Sequence, residues 1–414
     1  MRVLHLCHSD VNGGAARAAY RLHLAQRRYG IDSHMLVVDK GSVDDFVHTV
    51  SGGRRLRIKV ANFIARQLLK LQNSANAVHH SLGSFSSGIA SDIERISPDI
   101  VNLHWVSGEM ISVREISKIM RPVVWTLHDM WVFCGAEHYE DPKFSGRYIL
   151  GYDSERRDRE SFSGVDIDAH VWRTKKKRWA AGQLNFVCPS HWLAKCLKES
   201  ALLSNAPVVV VPNCINHETY RPVDRLEARQ ELGLPLDQRI ILFGAVSSST
   251  DPRKGYAVLV EALQKLSKNM DGVCVVIFGA QSGEIEQKTG FQVHYMGSIY
   301  DETLLAKLYA AADLFVAPSS QDNLPNTLVE SLACGTPCVA FSIGGMPDLI
   351  DDPKMGELVI EVGSVDALAE GLAKGLMRKF CSKQIAERSA QIRSESKVVA
   401  QYKKVYETLL GEPL

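Results

Sequence analysis

Short apolar runs rich in β-branched residues recur along the 414-residue chain, separated by longer stretches whose apolar positions repeat every three or four residues. A short continuous apolar run suits a strand buried on both faces, whereas the three-to-four spacing suits a helix with one buried stripe. The pattern predicts strands near residues 2–7, 34–38, 99–103, 122–127, 184–188 and 208–211 in the first half. It repeats in the second, near 240–243, 274–278, 293–296, 314–317, 337–341 and 358–362, with helices such as 256–267 and 301–312 between them. Strands alternating with helices point to βαβ units around parallel sheets, so the expected class is α/β with two doubly wound domains. Pro212, Pro222 and Pro235 punctuate a polar stretch between the two series and place the seam near residue 215. The expected domains are 1–214 and 215–394. Residues 389–410 are polar and helix-permissive with no strand to follow, so a terminal helix over 395–414 is expected to pack back on the first domain. Residues 135–172 form a long, charged, non-periodic insert, which in a compact domain is functional or disordered.

Charge narrows the partners. Forty-eight Lys and Arg against 47 Asp and Glu leave +1, so no global field favours nucleic acid. Nine cysteines, at 7, 134, 188, 196, 214, 274, 334, 338 and 381, are odd in number and hold no C-x-x-C pair. That argues against a disulfide framework and a zinc-thiolate site, and fits a reducing cytosol. The amino terminus breaks its apolar run at His5 and reaches Asp10 too soon for a signal peptide, and no run approaches spanning length. The expectation is a cytoplasmic protein, at most peripheral on the inner face of a membrane.

Four segments carry candidate chemistry. Asn12-Gly13-Gly14-Ala15 follows the first strand and opens a helix over 15–29, so small residues sit where backbone can approach an anion. It lacks G-x-G-x-x-G spacing, which speaks against a nicotinamide or flavin site, and a tight strand-to-helix turn is the favoured reading of this segment taken alone. His104 and His128 each end a strand whose carboxyl end faces the ligand crevice of a doubly wound sheet. A hydrogen-bonded structural role is the alternative for both. Arg253 and Lys254 sit in the loop before the helix near Tyr256; Lys254 suits a diphosphate, although two loop cations also suit plain solvation. The stretch from Ala317 to Pro337 joins a strand end, a polar loop, Pro325 at a first helical turn and Gly335 at the helix end. Its free N–H groups near Asn326, Thr327 and Leu328 suit a phosphate, and Asp322 and Glu330 offer carboxylates to sugar hydroxyls.

With these residues in view the chain resembles the retaining glycosyltransferases of family 4, which have the GT-B fold of two Rossmann-like domains facing across a cleft. The resemblance covers nearly the whole chain. Its most specific element runs from Pro318 to Pro337, similar to that family's Glu, seven residues, Glu, then Ala-Cys-Gly-x-Pro. Here the first carboxylate is Asp322, within the Gln-Asp-Asn-Leu-Pro-Asn run of a subgroup resembling bacterial exopolysaccharide and O-antigen transferases. Gly344-Gly345 with Pro347-Asp348 looks like the family's Gly-Gly-x-Pro-Glu. The resemblance implies a hexosyltransferase moving sugar from a UDP- or GDP-sugar to a saccharide or lipid-linked saccharide. It makes His128, Asp322 and Glu330 the catalytic set, with Glu330 on the ribose, Asp322 and the following amides of Asn323 and Leu324 on the donor sugar, and His128 on a sugar hydroxyl. Lys254 would hold the diphosphate, which Gly13 and Gly14 would approach, and backbone around Gly297 would read the base. The family commonly has Arg soon after the first strand of the second domain; here Gly244 precedes Ala245, so Arg253 would supply the second cation.

Cations and a helix amino terminus stabilise a departing diphosphate without a metal. No Asp pair for Mg²⁺ stands near Lys254, so metal-independent, retaining transfer with no cofactor is expected. From Phe46 to Ser91 there is no acidic residue, while Arg54, Arg55, Arg57, Lys59, Arg66 and Lys70 accumulate beside Leu56, Val60, Phe63, Ile64 and Leu68. A basic amphipathic helix over 54–71 suits an anionic membrane, and a packed helix with a solvated face is the alternative. Arg173 and Lys175 to Arg178 form a second basic run, read as surface. The rival functions are a catalytically silent sugar-binding partner of another transferase, a nucleotide-sugar epimerase of the same fold and, least favoured, an NAD-linked oxidoreductase.

Overall fold

Each strand predicted from the apolar runs is present in a computed structural model, which describes residues 1–140, 146–153, 157, 160–179, 184–244 and 251–411. The chain divides into two compact units, Met1–Pro212 with Val398–Leu414, and Asn213–Lys397.

The first unit holds β1 (Arg2–Ser9), β2 (Asp32–Asp39), β3 (Val47–Thr49), β4 (Gln72–Ser74), β5 (Ile100–Leu103), β6 (Val123–Thr126), β7 (Phe162–Gly164), β8 (Leu184–Cys188) and β9 (Val208–Val210). Seven of these form a parallel sheet in the order β3-β2-β1-β5-β6-β8-β9. Side chains alternate between its faces with period two. Leu4, Leu6, Leu36, Val38, Val101, Leu103, Val123 and Trp125 build the main apolar core on one face. The opposite face is polar at its centre: His5, Asn102 and Thr126 are buried there. Such groups need partners, and two tyrosines of the Glu395–Leu410 helix supply them. The Tyr406 hydroxyl accepts from Gln26 Nε2 (3.0 Å) and Asn102 Nδ2 (2.9 Å), Thr126 Oγ1 donates to Asn102 Oδ1 (3.0 Å), and Thr126 meets the Tyr402 hydroxyl at 3.0 Å.

The second unit holds β10 (Arg239–Gly244), β11 (Val273–Phe278), β12 (Gln292–Tyr295), β13 (Leu314–Ala317), β14 (Cys338–Phe341) and β15 (Gly356–Val359). They form a parallel sheet in the order β12-β11-β10-β13-β14-β15. Both faces are apolar: Leu242, Val276 and Phe315 pack on one side, Phe243, Val275 and Val316 on the other. In each sheet the winding reverses beside the first strand, between β1 and β5 and between β10 and β13. The crevice at such a reversal, off the carboxyl ends of the strands, is where doubly wound sheets bind ligands.

Local differences from the expected elements have identifiable causes. The three-residue β3 and the antiparallel pair β4–β7 are too short to leave a period. The expected helix over 389–410 is divided: Ser382–Arg393 stops at Ser394, whose extended backbone (φ −60°, ψ 144°) bridges to Ile215, with the Ile215 N–H donating to the Arg393 carbonyl at 3.1 Å. The basic run at 173–178, expected on the surface, is only partly so. Lys175 is fully buried, its ammonium donating to the carbonyls of Trp131, Cys134 (3.0 Å) and Gly135 (2.7 Å). Three carbonyls replace its water shell, while burial brings its pKa down to about 7. All nine cysteines are free thiols. No helix among the described residues is long and apolar enough to cross a membrane.

Candidate active site

In the second unit three loops off the carboxyl ends of β10, β13 and β14 meet at Asp322. The first carries a 3-10 turn, Pro252–Lys254, and Lys254 Nζ pairs with Asp322 Oδ2 at 2.5 Å. The lysine side chain is 34% exposed, so a ligand can reach it from solvent. Gly255 follows at φ 68°, and a Cβ there would lie 1.9 Å from the Pro318 carbonyl oxygen; only glycine lets this loop lie against the next. The Ser320 N–H donates to the Arg253 carbonyl at 2.7 Å, closing the same contact. From the third loop Gly345 N–H donates to the Asp322 carbonyl at 3.2 Å, and the Gly344 Cα sits where any Cβ would strike that oxygen. The Asp322 carboxylate also accepts from the Asn323 N–H at 2.9 Å. A cation, a carboxylate and glycine-lined backbone are thus held together at the sheet's winding reversal.

Pro325 is the N-cap of the Asn326–Ala333 helix, which has no side-chain cap. Its first turn holds Asn326, Thr327 and Leu328, the last donating its N–H to the Pro325 carbonyl at 3.1 Å, and a helix amino terminus of this kind attracts anions. Asn326 Oδ1 accepts from Asn213 Nδ2 at 3.2 Å, and Leu324 is buried below the loop. Glu330 lies on the buried side of this helix, 2% exposed, with Oε2 accepting from the Tyr309 hydroxyl at 2.8 Å. Burial, then the neighbouring Glu330, pushes the Tyr309 phenol well above its ordinary range, so it remains the donor. Arg253 forks onto Asp251 of its own loop (3.1 and 2.7 Å), so its charge already has a partner. Gly297 turns at φ 62° beyond β12, its carbonyl accepting from the Gly279 N–H at 2.6 Å. Ala245 lies outside the described residues.

In the first unit Gly13, at φ 95°, is the N-cap of the Gly14–Arg28 helix, which also has no side-chain cap. Gly13 and Gly14 are exposed at the carboxyl end of β1. Next to them, at the reversal between β1 and β5, three histidines form a chain. His128 Nε2 meets His104 Nδ1 at 3.0 Å, His104 Nε2 meets His5 Nδ1 at 2.9 Å, and His5 Nε2 meets Gln26 Oε1 at 2.9 Å. Since Gln26 spends its amide N–H on Tyr406, its oxygen must accept from His5. Each neutral ring then donates from Nε2, so Nδ1 is the acceptor nitrogen in all three. Burial keeps the rings neutral: it lowers His5 and His128 to about 4 and His104 well below its ordinary value. Asp129, the next residue, organises the loop instead, its carboxylate accepting from Trp105 Nε1 (3.1 Å) and the Trp131 N–H (3.0 Å) and pairing with His138 at 2.6 Å.

The structure therefore brings Lys254 with Asp322, and His104 with His128. Sequence reasoning missed His5, Gln26 and Tyr309. A histidine within an otherwise apolar strand was the only signal for His5; Gln26, in a helix of mixed polarity, and Tyr309 left none.

A family model described as Glycosyltransferase Family 4 matches residues 12–219, half of the chain, and a second, Glycosyl transferases group 1, matches residues 237–377. The chain belongs to glycosyltransferase family 4. Among its relatives is a D-inositol 3-phosphate glycosyltransferase of Segniliparus rotundus, 32% identical over 160 residues, which are 36% of this chain and 35% of that one. The match thus spans about a third of that curated relative's length. Among solved structures, sucrose-phosphate synthase from Thermosynechococcus elongatus aligns over 99% of both chains with TM-score 0.68 at 17% identity. Anabaena HepE in complex with UDP-glucose aligns over 99% of this chain and 100% of that one, with TM-score 0.62 at 16% identity. These likenesses are of fold, and the family member has the GT-B fold of two Rossmann-like α/β domains.

Proposed function

We propose that the chain transfers a sugar from a UDP- or GDP-sugar to a saccharide or lipid-linked saccharide acceptor, with retention and without a catalytic metal, in bacterial surface-polysaccharide assembly. The observation that carries this reading is the Lys254–Asp322 pair at the winding reversal of the second sheet, beside a helix amino terminus that has no side-chain cap. In the reaction the bond between the anomeric carbon and the phosphate oxygen breaks, and negative charge gathers on the leaving diphosphate. Lys254 and the N–H groups of the Asn326–Ala333 helix match that charge. The acceptor hydroxyl attacks from the same face, and its proton passes to the leaving phosphate oxygen. Asp322 takes donor-sugar hydroxyls and Glu330, its one oxygen fixed by Tyr309, takes the ribose. His128, held neutral, serves a sugar hydroxyl.

HepE was solved with UDP and with UDP-glucose, which makes uridine the first base to test. The acceptor side is supported by the Gly52–Leu69 helix, which buries Ile58, Ala61 and Ala65 and turns Leu56, Val60, Phe63, Ile64 and Leu68 to solvent, with Phe63 66% exposed. Exposed Arg55, Lys59 and Arg66 beside this stripe suit an anionic bilayer on the cytoplasmic side carrying a lipid-linked acceptor.

The test is a thermal-shift screen against UDP, GDP, ADP and their sugar conjugates, with Glu330→Ala as control. One nucleotide should raise the melting temperature of wild type and not of the variant. No shift with any nucleotide refutes the donor site. With the donor known, transfer should be unaffected by added Mg²⁺ or Mn²⁺; dependence on either ion refutes metal independence.

A further inference from the structure

Three hydrogen-bond acceptors converge inside the first unit, at a place the proposed transfer does not use. The backbone brings them together. Segments 79–81 and 136–138 pair, with the Ser81 N–H donating to the Ala136 carbonyl (2.8 Å), the His138 N–H to the His79 carbonyl (2.9 Å), and His80 bridged to Glu137. Gly135 then presses on the first turn of the Ile167–Arg178 helix so closely that a Cβ would lie 2.6 Å from the Asp168 carbonyl oxygen. One ligand atom each of His80, Glu137 and Asp168 lies within 4.8 Å of the others, and His80 Nε2 stands 3.8 Å from Asp168 Oδ1.

Hydrogen bonds behind these side chains decide what each presents. His80 Nδ1 lies 2.8 Å from the Val78 carbonyl, which can only accept, so the ring proton is on Nδ1 and Nε2 offers a lone pair. Asp168 Oδ2 accepts from Gln72 Nε2 at 2.6 Å; the Gln72 oxygen is taken by the N–H groups of Ile167 (2.7 Å) and Asp168 (3.1 Å), which fixes its amide. Glu137 Oε1 accepts from the Tyr152 hydroxyl. The remaining atoms, His80 Nε2, Glu137 Oε2 and Asp168 Oδ1, are buried and without a hydrogen-bond partner among the described residues. Glu137 and Asp168 are 5% and 4% exposed. The neighbouring Arg147 pairs with Asp166 at 2.6 Å through its Nη2, while its Nε is itself buried without a hydrogen-bond partner among the described residues. Buried acceptors left in this way are costly, and they call for a cation.

We propose that His80, Glu137 and Asp168 bind a divalent first-row transition-metal ion, Zn²⁺ being the reference case, that clamps the three segments together. An imidazole with two carboxylates suits such an ion, whereas Mg²⁺ and Ca²⁺ take oxygen ligands. Bonds of about 2.0–2.2 Å require the ligand atoms to close to about 3.4 Å, a side-chain adjustment around a pre-paired backbone. Each ligand has its outer partner, Val78, Tyr152 or Gln72, as ligating imidazoles and carboxylates usually do. The competing occupant is a proton: burial, and Glu137 beside it, raise Asp168 well above the usual carboxylate range. Proton and metal make opposite predictions. The absence of C-x-x-C pairs bears only on thiolate sites, so it leaves this nitrogen and oxygen set untouched.

The experiment uses the full chain, purified without chelator and desalted. Elemental analysis of wild type should find close to one first-row divalent ion per chain, and Asp168→Asn and Glu137→Gln should lose it. All six tryptophans lie in the first unit, so fluorescence-detected melting reports that unit. Wild type stripped of metal should melt lower and recover with Zn²⁺, and Co²⁺ should develop visible absorption that Zn²⁺ abolishes. These wild-type readouts decide the matter even if the variants do not fold. No bound metal, no response to Zn²⁺ or Co²⁺, or recovery with Mg²⁺ alone overturns the site; Asp168→Asn as stable as wild type assigns the position to a proton. No nucleotide enters the assay, so the outcome is independent of the transfer reading.

Discussion

The histidine chain of the first unit makes stability fall on mild acidification, by an amount the structure sets. His5 is fully buried and held neutral, its pKa lowered from 6.5 to about 4. In the unfolded chain it takes up a proton near 6.5, so between 6.5 and 4 the unfolded state binds more protons than the folded one. Stability contributed by the neutral ring is therefore complete above 6.5 and is lost as pH falls towards 4. At 1.36 kcal/mol per unit, moving from pH 7 to pH 5 costs about 2 kcal/mol from His5 alone. His104, also lowered by burial, adds to the loss in the same direction. The assay is urea unfolding followed by tryptophan fluorescence across this pH range, for wild type and His5→Leu. The variant will be weaker at neutral pH, because Gln26 and His104 lose a partner, but its loss on acidification should be smaller by about 2 kcal/mol. Equal losses in the two proteins would refute the chain as drawn, placing the proton uptake elsewhere.

Tyr406→Phe removes the hydroxyl that accepts from both Gln26 and Asn102; it should cost about 2–4 kcal/mol in the same unfolding assay, because two buried donors are left unpaired. Lys254→Ala should weaken binding of the stabilising nucleotide by about 10- to 100-fold in calorimetry, the worth of a charge-assisted contact, with the melting temperature of the free protein little changed. Tyr309→Phe removes the hydroxyl that donates to Glu330 Oε2 and should lower both stability, by about 1–3 kcal/mol, and nucleotide affinity; unchanged affinity would detach Glu330 from the ribose. Phe63→Ser with Leu56→Ser should abolish flotation with anionic vesicles and leave neutral ones unaffected; wild type that does not float removes the membrane surface from the proposal.

What the sequence determined by itself is local and periodic. Buried parallel strands are short apolar runs, so every strand of both sheets except the three-residue β3 could be read directly, and the glycines and polar residues after β1, β10 and β13 marked the loops that hold the candidate residues. Lys254, Asp322 and His128 could be picked out as candidates for the same reason: each follows a strand end. Their partnerships were not. Lys254 meets Asp322 only because β13 lies beside β10, and strand order leaves no trace in periodicity. Lys175 looked like a surface cation because charge runs usually are, until three carbonyls of a distant turn replaced its water. His5, Asn102 and Thr126 read as isolated polar residues in apolar strands, and Gln26 as one more polar residue of a mixed helix; the Glu395–Leu410 helix, bringing Tyr402 and Tyr406, makes them one network. His80, Glu137 and Asp168 come from three segments with no common motif, and only folding turns their lone pairs toward one point. A buried polar atom must be satisfied by whatever the fold places next to it, so its role is decided by tertiary contact and not by its neighbours along the chain.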